Sequence, residues 1–291
     1  MTSPHYVAPE SLEDALRIKS ENGADARVIA GGTDLILRMR DQVFSPHLLV
    51  DLRQVPLTGI SRAGDRMCIG PSVTLSQILA HEDIASLFPA LTEACRPFAG
   101  PPIRNRATIG GNIVNASPAA DLVPPLIAYD ARIVLSSVSG DREIPLTEFF
   151  TGPGQTVLES AEILTEVSLP LMPARTAAHF IKLGQRRSMA ISIVNLCARL
   201  SLAEDRTVLA ARIALGAVAP TPMRAVAAEK ALTGKAISPE IFEQAAQLAG
   251  EEISPISDVR ASGDYRRRMT GVLVRRALME TRNEMEKGGF R

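Results

Sequence analysis

The sequence predicts an α+β fold in two domains, and three observations support this prediction. The chain has 291 residues, enough for about two domains at ~150 residues each. Short apolar runs alternate with amphipathic helical stretches in its first part. Pro170 and Pro173 then interrupt regular structure, and beyond them predicted strands precede predicted helices. The predicted domains are residues 1–172, with subdomains of about 1–55 and 56–172, and residues 173–291.

The first predicted subdomain is a small α/β unit. Ser11 and Asp14 precede a helical pattern with the spacing of a capping box, and Gly23 is placed to end that helix. The pattern predicts a helix over residues 12–22. Residues 27–30 and 47–52 are short apolar runs typical of strands, with a helical stretch between them.

The second predicted subdomain combines strands, helices and loops rich in glycine and proline. The predicted strands are residues 67–69, 131–137, 142–146 and 162–169, the middle two forming a hairpin. Apolar periodicity predicts helical stretches over residues 74–98. Residues 98–112 contain too many breakers for one long helix and lead into a loop that ends at Asp121.

The predicted C-terminal domain begins with two strands, residues 196–203 and 208–218. Three helical stretches follow, near residues 223–234, 239–250 and 264–286. The last contains Arg266, Arg267 and Arg268, which predict a solvated helix face, with contact to a partner subunit as the alternative.

Composition and charge argue against several classes of protein. Thirty-two basic and thirty-two acidic residues give no net charge, which disfavours nucleic-acid binding. No apolar run approaches the ~18 residues of a membrane span, and the N-terminal residues lack the features of a secretory signal, so a cytoplasmic protein is expected. The scattered cysteines and histidines lack zinc or iron–sulfur spacing and predict no metal ligand: Cys68, Cys95, Cys197, His5, His47, His81 and His179.

A first glycine motif, residues 29–36, carries part of the functional signal. It leads from a predicted strand into Gly31 and Gly32 and then into a helical pattern. Glycines permit positive φ and let backbone N–H groups approach an anion, and a helix N-terminus adds about half a positive charge. On its own, a glycine pair of this kind is more often only a turn.

A second glycine motif, residues 108–112, repeats the same chemistry later in the chain. It again combines a hydroxyl, two glycines and a polar side chain. One ligand with two phosphates would use both motifs. Neither motif has the Gly-Lys-Ser/Thr ending of a P-loop or the three-glycine spacing of a Rossmann fingerprint, so both of those folds are disfavoured.

With residues 103–121, the two motifs resemble the FAD-binding medium subunits of molybdenum hydroxylases, such as the flavoprotein subunits of carbon monoxide, quinoline, nicotinate and xanthine dehydrogenases. Residues 180–187, 215–222 and 265–278 are similar to the C-terminal domain of that family, so the resemblance covers nearly the whole chain. It implies a two-subdomain FAD-binding domain of the PCMH (vanillyl-alcohol-oxidase-like) type, followed by a C-terminal α+β domain of the carbon monoxide dehydrogenase flavoprotein type.

The resemblance implies an oxidoreductase subunit that takes electrons from a [2Fe–2S] subunit and passes them to an external acceptor. The implied partners in a heterotrimer are that small subunit and a large molybdenum-cofactor subunit, which would hydroxylate the substrate. FAD would be the cofactor of this chain, and no side chain is predicted to act as a catalytic acid or base. A stand-alone FAD reductase or oxidase of the same fold is the alternative, and a nucleotide-binding module without redox function is a third.

The resemblance also implies which residues bind FAD. The two motifs would hold its pyrophosphate and ribityl chain through backbone amides, and Asp121 would accept hydrogen bonds from ribityl or ribose hydroxyls. Val114 and Leu164 would border the flavin or adenine. Lys182 would lie near the isoalloxazine, and Phe98 would pack on the adenine. The full set is Ile29, Ala30, Gly31, Gly32, Thr33, Asp34, Leu35, Ile36, Phe98, Thr108, Gly110, Gly111, Asn112, Val114, Asp121, Leu164 and Lys182.

Several of these positions have a purely structural alternative. Asp121 is also placed to be a helix cap, Lys182 a solvated surface residue and Phe98 part of the core. Thr33 stands where flavin oxidases of the wider family carry a histidine for covalent attachment, so non-covalent FAD is expected. The cysteine spacing excludes the iron–sulfur insertion of family members that act on 4-hydroxybenzoyl-CoA.

Overall fold

The computed structural model describes residues 4–186 and 189–287, which form a mixed α+β fold. The strands are β1 His5–Val7, β2 Ala26–Ile29, β3 Leu48–Asp51, β4 Ile60–Ala63, β5 Arg66–Ile69, β6 Arg132–Ser137, β7 Gly140–Pro145, β8 Phe150–Gly152, β9 Gln155–Thr156, β10 Ile163–Pro170, β11 Thr176–Gly184, β12 Ser192–Leu202, β13 Val208–Gly216 and β14 Met223–Arg224. The helices are α1 Leu12–Asn22, α2 Leu35–Arg40, α3 Leu75–Ala80, α4 Glu82–Leu87, α5 Pro89–Cys95, α6 Pro101–Arg104, α7 Ile109–Val114, α8 Val123–Ala128, α9 Val226–Leu232, α10 Pro239–Glu251 and α11 Gly263–Lys287.

The first sheet is parallel, with strand order β1-β3-β2. Helix α1 packs on it through Ala15 and Leu16. The predicted helix over residues 12–22 is confirmed, because the Ser11 hydroxyl accepts from the Asp14 amide at 3.0 Å and Gly23 ends the helix at φ +51°. Strand β1 was not predicted, since three residues carry too little periodicity to recognise.

The second sheet is antiparallel, with strand order β4-β5-β10-β6-β7. Its predicted strands and the β6–β7 hairpin are confirmed, with ends that shift by one or two residues. Helices α3 to α5, α7 and α8 supply the other side of its core, where Phe88 and Tyr129 meet edge to face at 5.1 Å between ring centroids. This core supports the second glycine motif.

The predicted helical region over residues 74–98 consists of three short helices, α3 to α5. His81 divides the first two, because it ends α3 and its ring nitrogen accepts from the Ile84 amide at the start of α4. Phe88 leaves helical geometry, and Pro89 begins α5, where a proline is tolerated. Apolar spacing continued across both breaks and concealed them.

The third sheet is antiparallel, with strand order β11-β12-β13-β14, and α9 to α11 pack against it. Every residue of β12 is buried because α11 covers one face of the strand and α8 the other. The predicted strand over 196–203 therefore begins earlier, at Ser192. The helix predicted near 223–234 is limited to α9, since Met223 and Arg224 pair with β13.

Arg266 contradicts the prediction that the three arginines of α11 form a solvated face. Its side chain is buried, its guanidinium donates to the carbonyls of Ile193 and Ala217 at 2.5 and 3.0 Å, and it pairs with Asp258 at 2.8 Å. This arginine therefore fastens the last helix to the third sheet. Arg268 is exposed, as predicted.

An ion cluster joins α5, under the second sheet, to the third sheet and its last helix. The His179 ring nitrogen Nδ1 lies 3.2 Å from a carboxylate oxygen of Glu93 on α5 and 3.2 Å from one of Glu284 on α11. Glu93 also accepts from the Phe180 amide at 2.8 Å. Burial alone would lower the pKa of His179, but the hydrogen bonds and charges of Glu284 and Glu93 outweigh burial and raise it to about 10.

Candidate functional site

A cleft of about 550 Å³ lies where the three sheets meet. The first glycine motif lines one part of it, the second motif another, and Leu164 of β10 and Lys182 of β11 a third. Every site residue named from the sequence lines this cleft except Ile36, whose side chain is half exposed on α2. Residues that are far apart in the chain thus surround one space.

The first glycine motif has the geometry of an anion site. Gly32 adopts φ +72°, a conformation that favours glycine, and the chain then enters α2. Among the described residues, the amide N–H groups of Gly31, Gly32, Thr33 and Asp34 donate to no acceptor. Unused amides before a helix are suited to a phosphate.

The second glycine motif begins helix α7, which bears on the expectation that its backbone amides hold the cofactor. Its amides are already used: Ile109 donates to the Val73 carbonyl at 3.0 Å, Gly110 to the Pro71 carbonyl at 2.9 Å and Gly111 to the Thr108 hydroxyl at 3.0 Å. These three amides are therefore not available to a phosphate. What the motif offers the cleft is its side chains, above all the amide of Asn112.

Gly31 and Gly110 are required by contacts within the protein. A Cβ on Gly31 would overlap the Arg106 carbonyl, and one on Gly110 would lie 2.5 Å from the Pro71 side chain. Gly31 thus lets the first motif lie directly against the segment that precedes the second. The close approach of these two walls gives the cleft its shape at this end.

Asp121 is buried at the base of the cleft and binds three donors from the third sheet. Its carboxylate accepts from Lys182 Nζ at 2.5 Å, Ser192 Oγ at 2.6 Å and Asn195 Nδ2 at 2.9 Å. It caps no helix, since α8 begins after Leu122 without a side-chain cap. The helix-cap alternative is therefore wrong.

Lys182 is not a solvated surface residue either. Only 9% of its side chain is exposed, and its ammonium group is paired with Asp121. Phe98 packs, partly buried, against the core of the second sheet and also lines the cleft.

Two lining residues carry no signal in the motifs. Arg27 of β2 lies over the ring of Phe44, 3.7 Å from guanidinium carbon to ring centroid, and both side chains line the cleft. Sequence reasoning assigned Arg27 only to a strand and gave Phe44 no role. The signal that could have found them is a basic residue directly before an anion-binding motif.

Glu93, His179 and Glu284 form a group that could hold a metal ion, because their nearest donor atoms lie within 4.8 Å of one another. The expectation that no metal ligands exist was drawn from spacing along the chain, which does not reveal such a cluster. The imidazole already lies between the two carboxylates and forms an ion pair with each of them.

No helix within the described residues is long and apolar enough to cross a membrane.

Two family models match the chain in succession. The FAD binding domain in molybdopterin dehydrogenase matches residues 2–172, and the CO dehydrogenase flavoprotein C-terminal domain matches residues 179–281. The chain belongs to this FAD-binding subunit family. The motif-based recognition is thereby confirmed, as are the α+β fold and the placement of the chain in an oxidoreductase family that binds FAD.

Individual members of this FAD-binding subunit family are similar over nearly their whole length. The medium chain of carbon monoxide dehydrogenase from Hydrogenophaga pseudoflava is 34% identical over 274 residues, which are 94% of this chain and 95% of that one. The xanthine dehydrogenase FAD-binding subunit of Escherichia coli O157:H7 is 32% identical over 279 residues, 94% of each chain.

Solved structures show the same likeness. A structure of carbon monoxide dehydrogenase from Hydrogenophaga pseudoflava that lacks the Mo-pyranopterin moiety of its cofactor matches with a TM-score of 0.93 at 34% identity and covers 96% of this chain and 97% of that one. Quinoline 2-oxidoreductase from Pseudomonas putida 86 matches with a TM-score of 0.90 at 31% identity, covering 96% and 97%.

Proposed function

We propose that this chain binds FAD non-covalently in the cleft and is the electron-transfer subunit of a heterotrimeric molybdenum hydroxylase. The observation that supports this most directly is the convergence of both glycine motifs and the Asp121–Lys182 pair on one cleft, with amides of the first motif left free. Its partners would be a large molybdenum-cofactor subunit and a small [2Fe–2S] subunit.

The free amides of Gly31 to Asp34 would bind the FAD pyrophosphate. The apolar side chains of Val114, Leu164 and Phe98 would contact its rings, since these residues line the cleft and present no charge. Asn112 would bind the ribityl chain of FAD through its side-chain amide, in place of the backbone amides of the second motif.

Asp121 and Lys182 would orient the cofactor at the base of the cleft. Each holds the other in place at 2.5 Å, and Ser192 and Asn195 fix the carboxylate from the same sheet. A charged pair that is rigid before the ligand arrives loses little entropy when the ligand binds. Lys182 would therefore present its charge to FAD without rearrangement.

FAD, when bound, accepts electrons singly and releases them singly or in pairs, which suits transfer from iron–sulfur clusters to an external acceptor. This chain's own task is then to bind and orient, and no side chain need act as an acid or a base. Thr33 in the first motif offers no imidazole for a covalent bond to the flavin.

The test is to express the chain alone and together with its two partner subunits, and to titrate the flavin-free chain with FAD. The proposal expects saturable FAD binding, release of unmodified FAD by acid, and reduction of the flavin by substrate only in the three-subunit complex. Reduction of the isolated chain directly by NAD(P)H at catalytic rates would favour the stand-alone reductase, and absence of FAD binding would refute both.

A further inference from the structure

Arg27 lies on β2, just before the first glycine motif, with its guanidinium against the ring of Phe44. The side chain is exposed and lines the cleft on the side where the unused amides of that motif lie. Stacking on an aromatic ring restricts the rotamers of an arginine and leaves its N–H groups free to donate at the edge of the guanidinium plane.

The charge of Arg27 is not neutralised within the described residues. No ion pair and no hydrogen bond from its side chain is formed there, whereas Asp34, the acid of the first motif, pairs with Arg38 at 3.1 Å. Partial burial of its side chain and the charge of Arg38 together hold the pKa of Arg27 below its usual range. Lys19 adds a third cation, bound only to carbonyls. Arg27 is therefore a cation in the cleft wall that has no paired anion among the described residues.

We propose that Arg27 binds a phosphate oxygen of the FAD pyrophosphate, completing a site whose other donors are the free amides of Gly31 to Asp34. A guanidinium suits this task because its parallel N–H groups match two oxygens of a phosphate. A negative charge of the pyrophosphate would offset the unpaired charge of Arg27. This inference rests on the proposed function and adds a residue outside both glycine motifs.

The test measures the affinity of the flavin-free chain for three probes: FAD, ADP and riboflavin. Arg27→Gln keeps a planar polar group but removes the charge, and Arg40→Gln is the matched control, because Arg40 is an exposed arginine of the same unit that does not line the cleft. Arg27→Gln should raise the dissociation constants of FAD and ADP about tenfold, equivalent to ~1.4 kcal/mol, and leave that of riboflavin unchanged. Arg40→Gln should change none of the three dissociation constants more than about twofold.

Ionic strength provides a second readout. Salt should weaken FAD binding by the wild-type chain more steeply than binding by Arg27→Gln, since the variant has lost one screened contact. Arg27→Lys should recover part of the affinity, because it restores the charge without the planar group.

Equal affinity of the wild type and Arg27→Gln for FAD and ADP would overturn the inference while leaving FAD binding itself intact. An equal loss for riboflavin would also overturn it, because riboflavin has no phosphate and the effect would then act through the fold. If the wild-type chain binds no FAD, the proposed function fails first, and that result is distinct from either outcome.

Discussion

Replacing Asp121 by alanine removes the acceptor of three donors at once. Lys182 would remain 9% exposed without a counter-ion, and Ser192 and Asn195 would lose their shared carboxylate. Removing one partner of a buried ion pair costs ~3–5 kcal/mol, mostly because the remaining charge stays desolvated. Since whole domains are stable by only about 5–15 kcal/mol, this is a large fraction of the free energy of unfolding.

Urea unfolding of the flavin-free chain measures this loss without interference from the cofactor. Asp121→Ala should lower the free energy of unfolding by ~3–5 kcal/mol and the melting temperature by roughly 10 °C. Asp41→Ala is the control, because Asp41 forms only an exposed pair with Arg40 at 3.4 Å and should contribute less than about 0.5 kcal/mol.

The double variant Asp121→Ala, Lys182→Met separates charge from shape. It should recover a substantial part of the lost stability, because methionine leaves no buried cation behind. If Asp121→Ala unfolds within ~1 kcal/mol of the wild type, or if the double variant is as unstable as the single one, the uncompensated lysine is not the source of the cost.

Three further perturbations have defined outcomes. Gly31→Ala should reduce FAD affinity more than about tenfold, because its Cβ would overlap a backbone carbonyl. Gly111→Ala should retain binding, because its Cβ would meet only a hydroxyl at 3.0 Å. Equal losses of affinity in the two variants would contradict the role given to Gly31. The pKa of His179 is raised to about 10, so its contribution to stability is complete below the unfolded value near 6.5 and is lost as pH rises through about 10. The free energy of unfolding should therefore fall more steeply between pH 7 and 10 in the wild type than in His179→Gln. Parallel pH profiles of the two proteins would exclude this contribution of His179. Arg266→Ala should lose about 3 kcal/mol in urea unfolding and Arg268→Ala under about 0.5, and similar losses would refute the buried role of Arg266.

Local patterns in the sequence were sufficient for elements whose signals are local. The cap at Ser11 and the end at Gly23 define α1, and the alternation around the β6–β7 turn defines that hairpin. The division of residues 74–98 into three helices depends on His81 and Phe88, where the backbone leaves helical geometry without any loss of apolar spacing. Periodicity reports which residues face a core, and it is insensitive to such breaks.

The candidate site shows the same contrast. Both glycine motifs could be recognised from their composition, but which of their amides are free could not, because two acceptors used by the second motif, Val73 and Pro71, lie outside it. The partners of Asp121 are on two strands of a later sheet, so no pattern near Asp121 indicates them. Arg27 is a basic residue shortly before the first motif, but its position over Phe44 is apparent only in the folded protein.

The network around Asp121 has a consequence for biosynthesis. Its three donors all follow it in the chain, the last at residue 195, and the wall that contains Lys182 is part of the third sheet. While the ribosome is still producing the first half of the protein, Asp121 therefore lacks its three donors, and the wall formed by the third sheet does not yet exist. The nascent chain can form both glycine motifs at that stage, yet the complete cleft exists only after β11 and β12 have been made. We therefore expect the cofactor to be loaded late, after most of the polypeptide has been translated.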